Sequence, residues 1–166
     1  GGSCAASLSH WLERYEDKDL VDQMNWVMGH EGEARAREDA LRVLLPEADV
    51  PRLVSKYPVL LGMDKRSVAR RLVALTTLIP HGDICRMVEL QPMMLLIPDA
   101  EAIAREAVQE IVAHLEVGEE VVWAMVARHP NLIFQDPPDR RRASTEYLLL
   151  DQHTPVGKGF RPRERA

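Results

Sequence analysis

The sequence predicts an all-α fold, a helical-repeat solenoid of about three units of roughly 34–38 residues each. Three observations predict it. The first is a segment that nearly repeats itself 34 positions later: residues 41–54 read LRVLLPEADVPRLV and residues 75–88 read LTTLIPHGDICRMV. Leu41, Pro46, Asp49, Arg52 and Val54 recur as Leu75, Pro80, Asp83, Arg86 and Val88. Leu44, Leu45, Val50 and Leu53 recur as the apolar Leu78, Ile79, Ile84 and Met87. A looser third copy sets Val122, Met125, Val126 and Pro130 where the second has Ile84, Met87, Val88 and Pro92. Such a period marks an array in which each unit buries its apolar face only against its neighbours. The second observation is compositional. Hydrophobic residues make up 46% of the chain and aromatics 5%, so the core is aliphatic, which favours helices over a sheet. The third is punctuation, because prolines and aspartates stand at matching places in every copy.

Each unit is expected to open with a short helix, over residues 50–57, 84–91 and 121–129. Asp49 and Asp83 stand as N-cap acceptors, and Glu119 and Glu120 bring negative charge to the third start. Within these helices apolar residues fall at i, i+3, i+4, giving one buried stripe. Pro58, Pro92 and Pro130 stop them, since proline lacks the amide donor and disfavours the α region for the residue before it. The apolar pairs Leu60–Leu61, Met94–Leu95 and Leu132–Ile133 then plug the corner between two helices. Longer helices follow Asp64, Asp99 and Asp136, over residues 65–79, 100–117 and 137–150. Pro80 with His81-Gly82, and Gly118, are read as their ends.

Upstream, residues 10–16 and 20–28 are expected as helices, residues 29–32 as a turn and residues 33–45 as a longer helix. The organisation is then 1–40 N-terminal capping helices, 41–150 repeats and 151–166 an extended basic tail. Trp11 and Trp26 are expected to cover the open end of the core. The seven methionines, including Met87, Met93, Met94 and Met125, serve as adaptable core filler.

Charge is divided unevenly along the chain. Residues 1–136 carry 14 Lys+Arg against 22 Asp+Glu, and residues 137–166 carry 7 against 4, leaving −5 for the whole. An acidic body repels a phosphate backbone at long range. The longest uncharged apolar stretch, 92–98, falls far short of the roughly 20 residues of a membrane span, so a soluble or peripheral protein is expected. Cys4 and Cys85 match no metal-ligand spacing and favour a reducing compartment. The opening Gly-Gly-Ser is read as a cloning remnant or as the start of a mature chain after presequence removal.

With VPRLVSKYPVLLGMD, ICRMVELQPMMLLIPD and VVWAMVARHPNLIFQD in succession, the pattern resembles the mitochondrial transcription termination factor (mTERF) family. The likeness covers about residues 41–136, with a weaker half-unit upstream. It implies an organellar protein, of plastid or mitochondrion, built as a right-angled stack of helical triplets curving into a half-ring. It also implies nucleic-acid binding through a basic concave groove.

No nucleophile stands with a positioned base, the six histidines lack paired metal spacing, and residues 29–32 lack a phosphate-loop pattern. Neither catalysis nor a cofactor or metal is therefore expected. The expected role is a non-catalytic scaffold or linker subunit that binds partner proteins in a large organellar assembly such as a photosystem, ribosome or respiratory complex. Its contacts are assigned to Arg140, Arg141 and Arg142, whose charge in a first helical turn asks for an outside anion. Lys158, Phe160, Arg161 and Arg163 of the tail join them, an aromatic anchor among cations being a usual hot-spot pattern. The alternative is an organellar RNA- or DNA-binding factor using Arg52, Lys56, Lys65, Arg66, Arg70 and Arg71.

Overall fold

The protein is seen in a computed structural model that describes residues 18–151, without the side chains of 18–21, 23 and 24. The expected helix 10–16, Trp11 and the tail from residue 152 lie outside the described residues. Among those described, the chain forms helices and turns and no strand. In chain order the helices are α1 (Lys18–Gly29), α2 (Glu31–Leu44), α3 (Val50–Lys56), α4 (Lys65–Leu78) and α5 (Ile84–Leu90). Then come α6 (Met93–Leu96), α7 (Ala100–Leu115), α8 (Glu119–Arg128) and α9 (Pro137–Asp151). Two 3₁₀ turns, Pro58–Gly62 and Pro130–Phe134, occupy the places that α6 holds in the middle unit.

The three short helices α3, α5 and α8 end identically. Their closing residues share one backbone conformation: φ −130°, ψ 70° at Tyr57, φ −140°, ψ 80° at Gln91 and φ −129°, ψ 68° at His129. Each donates its amide four residues back, to Leu53, Met87 and Met125, and each carbonyl accepts from the residue three ahead, Leu60, Met94 and Leu132. A proline in the next position enforces this in all three copies, because it offers no donor to continue the helix. The plugs behind the prolines are buried at Leu60, Met94, Leu95, Leu132 and Ile133, and half-buried at Leu61. Each buried side chain of this size contributes about 1.5–3 kcal/mol, so these corners hold a large part of the core's stability. Met87, Met93, Met94 and Met125 are buried with them, as expected.

The caps separate into two kinds. Asp49 and Asp83 accept from the amides of Arg52 and Arg86 at 3.2 and 3.1 Å, and Asp64 accepts from Ser67 at 2.8 Å. Asp99 makes no side-chain cap bond to α7. The far end of α7 also differs from expectation. Glu116 takes the left-handed conformation at φ 54°, ψ 41°, and its amide closes on the Val112 carbonyl. Gly118, at φ −64° and ψ 148°, stands as the N-cap of α8 instead. The β-branched Val117 between them suits the left-handed region less well than Glu116 does.

The repeat reaches upstream of residue 41, where the sequence reading placed a weaker half-unit and a long helix. Helices α2 and α4 are the same length and lie 34 residues apart, and Ala34, Leu41 and Leu45 are buried where Val68, Leu75 and Ile79 are buried. The division placed at residue 41 thus falls inside α2. The expected turn at residues 29–32 contracts to His30, since Gly29 closes α1 and Gly32 lies in the first turn of α2. Helix α1 packs chiefly on the Pro58–Gly62 turn, with Trp26 half-buried over that end of the array.

Candidate interaction surface

The three arginines opening α9 have different fates. Arg140 is 7% exposed and is a structural clamp, which corrects its assignment to a partner. Its guanidinium donates to the carbonyls of Leu132, Ile133 and Gln135 at 2.8–3.0 Å and pairs with Glu110 of α7 at 2.8 Å. The anion expected from outside is therefore Glu110 of this same chain. Arg141 shares that carboxylate at 3.4 Å and keeps 44% of its side chain exposed. Arg142 faces solvent, with Asp139 at 3.8 Å. Of the proposed partner contacts at this helix, Arg141 and Arg142 are accessible. The tail residues Lys158, Phe160, Arg161 and Arg163 lie outside the described residues.

The basic candidates on α3 and α4 divide in the same way. Arg71 donates to the Pro98 carbonyl at 2.7 Å and pairs with Glu101 at 3.0 Å, so it fastens α4 to the turn that leads into α7. Arg66 and Arg70 are exposed one helical turn apart, and Arg52, Lys56 and Lys65 are exposed as well. Among the described residues none of these five makes an ion pair. Helix α3, which carries Arg52 and Lys56, packs chiefly on α2 and on the Pro58–Gly62 turn.

Sequence reasoning missed Arg37. It lies 34 residues before Arg71 and does the corresponding job one unit earlier. Its guanidinium donates to the carbonyls of Leu61 and Gly62 at 3.2 and 2.7 Å and lies over the Trp26 ring at 3.4 Å. Trp26 in turn stacks on His30 at 4.6 Å. The missed signal was the repeat spacing itself, read for apolar residues and not extended to cations. Arg37, Arg71 and the Glu110–Arg140 pair each tie one long helix to the turn before the next. A buried turn must have its carbonyls paired, and guanidinium groups supply several donors in one plane.

A three-unit repeat with a proline-plugged corner in each copy agrees with the family whose model matches this chain. The chain belongs to the mTERF family. The mTERF model matches residues 38–158, most of the chain. Neither the curated proteins nor the solved structures offer a match. For an mTERF protein, membership points to an organellar setting in general and to a nucleic-acid-related or helical-repeat function. No helix among the described residues is long and apolar enough to cross a membrane.

No group of three His, Cys, Asp or Glu among the described residues could hold a metal ion. Burial pushes the Cys85 thiol up, helped by the charges of Asp83, Glu47 and Glu89 and partly offset by a backbone hydrogen bond from Glu47. A thiol so placed stays protonated near neutrality and is a poor nucleophile. At the far end His129 stacks on Tyr147 at 3.7 Å, and Asp151 reaches His129 at 3.3 Å and Arg128 at 3.7 Å. Asp151 is thus the last residue of α9, where the sequence reading placed it in the tail.

Proposed function

We propose that this mTERF protein is a non-catalytic helical-repeat subunit that binds partner proteins within a larger organellar assembly. The observation that carries this reading is the internal use of the arginines. Arg37, Arg71 and Arg140 are turned onto carbonyls of the array, so three of its guanidinium groups serve as fasteners, Arg71 of the basic candidates on α4 among them. What remains is a body of net acidic charge with Arg52, Lys56, Lys65, Arg66 and Arg70 exposed on α3 and α4, Arg141 and Arg142 accessible at α9, and further cations beyond residue 151. Such a charge division suits a protein partner that meets the body and the basic tail separately, and it disfavours a polyanion along the whole array.

The second reading, an organellar RNA- or DNA-binding factor, draws on Arg66 and Arg70. They share the exposed face of α4 without an ion pair among the described residues.

Purification of the tagged full chain from its organelle tests the proposal. A stoichiometric protein complex is expected. Deleting residues 152–166 should weaken partner capture at least about tenfold, or ~1.4 kcal/mol, while the array keeps its melting temperature. Recovery of nucleic acid with no stoichiometric protein would favour the second reading, and unchanged capture would remove the tail from the interface.

A further inference from the structure

A cleft of 310 Å³ opens between the turn after α4 and the first turn of α8, lined by Leu78, Ile79, Pro80, Glu119, Glu120 and Trp123 among others. Its size is at the lower end for a small-ligand site, about 300 Å³, and suits one long side chain with its flanking backbone. Three features of the cleft select the chemistry of that side chain.

The first is a fixed aromatic–carboxylate pair. The indole Nε1 of Trp123 donates to Glu119 Oε1 at 3.1 Å, which holds the ring and the carboxylate in one geometry. The second is uncompensated charge. Glu119 and Glu120 are exposed, and no ion pair neutralises either among the described residues. The N-terminus of α8 offsets about half a charge and His81, which also lines the cleft, at most one, so a rim with two carboxylates stays negative. The third is the apolar wall. Leu78, Ile79 and Pro80 offer a surface for a methylene stem whose head remains polar.

A cation with a flat face, a fork of donors and an aliphatic stem satisfies all three. A guanidinium stacks on indole and pairs with carboxylate through parallel hydrogen bonds, whereas an ammonium is a more strongly hydrated point charge. The protein uses this pairing internally, with the Arg37 guanidinium over Trp26.

We propose that this cleft binds an arginine side chain presented by an extended segment of a partner protein. The class of partner rests on the subunit reading above, while the arginine chemistry rests on the cleft alone. The cleft lies between the end of the first unit's long helix and the start of the third unit, so an arginine seated there bridges the two as well as docking the partner.

The test titrates the full chain with the capped peptide Gly-Gly-Arg-Gly-Gly and with its citrulline counterpart, which keeps the shape and loses the charge. Amide NMR shifts are read at residues 78–82 and 119–123. The arginine peptide should move those signals and bind at least about fivefold more tightly than citrulline. The double variant Glu119→Gln/Glu120→Gln, both positions exposed, should keep the fold and weaken the arginine peptide about tenfold. Equal binding of the two peptides, or an unaffected double variant, overturns the proposal. A chain ending at residue 151 that binds the peptide about tenfold more tightly would make the protein's own tail the occupant, which also overturns it. Capture of a stoichiometric partner by the double variant as well as by wild type, with no peptide response, overturns the cleft and leaves the subunit reading standing. Peptide binding with no protein partner in the organelle supports the cleft chemistry and overturns the subunit reading.

Discussion

Arg140 shows how much a single side chain can carry in a fold with so few polar groups inside. It satisfies three turn carbonyls and Glu110 while almost fully buried. Arg140→Met keeps the volume and removes every donor, so three carbonyls and a carboxylate lose their partner at once. The expected cost is about 3–5 kcal/mol in a denaturant melt, against less than about 0.5 kcal/mol for the exposed Arg142→Ala. A mild Arg140→Met would return that residue to the interaction surface. Gly82 makes a second test at this scale. A β-carbon there would lie 2.7 Å from Ile79 Cγ2 and 3.1 Å from Met87 Sδ. One unit earlier the same two positions hold Leu45 and Ala48, with matching hydrogen bonds from Ala48 N to Leu45 O and from Gly82 N to Ile79 O. Leucine has no γ2 branch, so the alanine methyl takes the space that isoleucine fills. Gly82→Ala should therefore cost about 1–3 kcal/mol, and Ile79→Leu in the same chain should restore at least about half of it. Additive losses in that double-mutant cycle would show that the two copies are not packed alike.

Among the elements, the helices and corners were legible in the sequence because local rules govern them. A proline stops its helix whatever surrounds it, and Asp49, Asp64 and Asp83 cap as their spacing implies. The ends set by tertiary geometry were not legible: the left-handed residue fell on Glu116, and Asp99 made no cap. The site was harder to read than the fold. Whether an arginine faces solvent or a buried carbonyl depends on the neighbouring unit, which the pattern around Arg71 or Arg140 does not contain. Asp64 gives this level its prediction. The Ser67 amide, opposed by some burial and aided by the Ser67 hydroxyl and by Arg37, holds its carboxyl below the usual range. A depressed carboxylate pKa means that the folded state favours the charged form. The cap's stability is present above the unfolded pKa near 3.9 and is lost as pH falls through the lower folded value. Asp64→Ala should cost about 1 kcal/mol at pH 7 and progressively less below about pH 4, the site being exposed and screened. A pH-independent difference between the two melts would remove Asp64 as a charged cap.

At the scale of the molecule, the array, the arginine fasteners and the acidic body point the same way. Each unit buries its corner against the next, and the guanidinium groups of Arg37, Arg71 and Arg140 hold those junctions together, while Arg66 and Arg70 stay exposed on α4. The accessible Arg141 and Arg142 lie on the last helix, and the 310 Å³ cleft lies between the turn after α4 and the first turn of α8. The most direct measurement is a salt series of nucleic-acid affinity for the full chain, on organellar RNA and on duplex DNA, beside the Arg66→Ala/Arg70→Ala variant. A protein-binding subunit should show weak binding at about 150 mM salt, with a log–log slope shallower than about −1 and little change in the variant. Tight binding with a slope of about −3.6 or steeper, equivalent to four or more released counterions, and its loss in the double variant would contradict the protein-partner reading and make the exposed face of α4 a nucleic-acid interface.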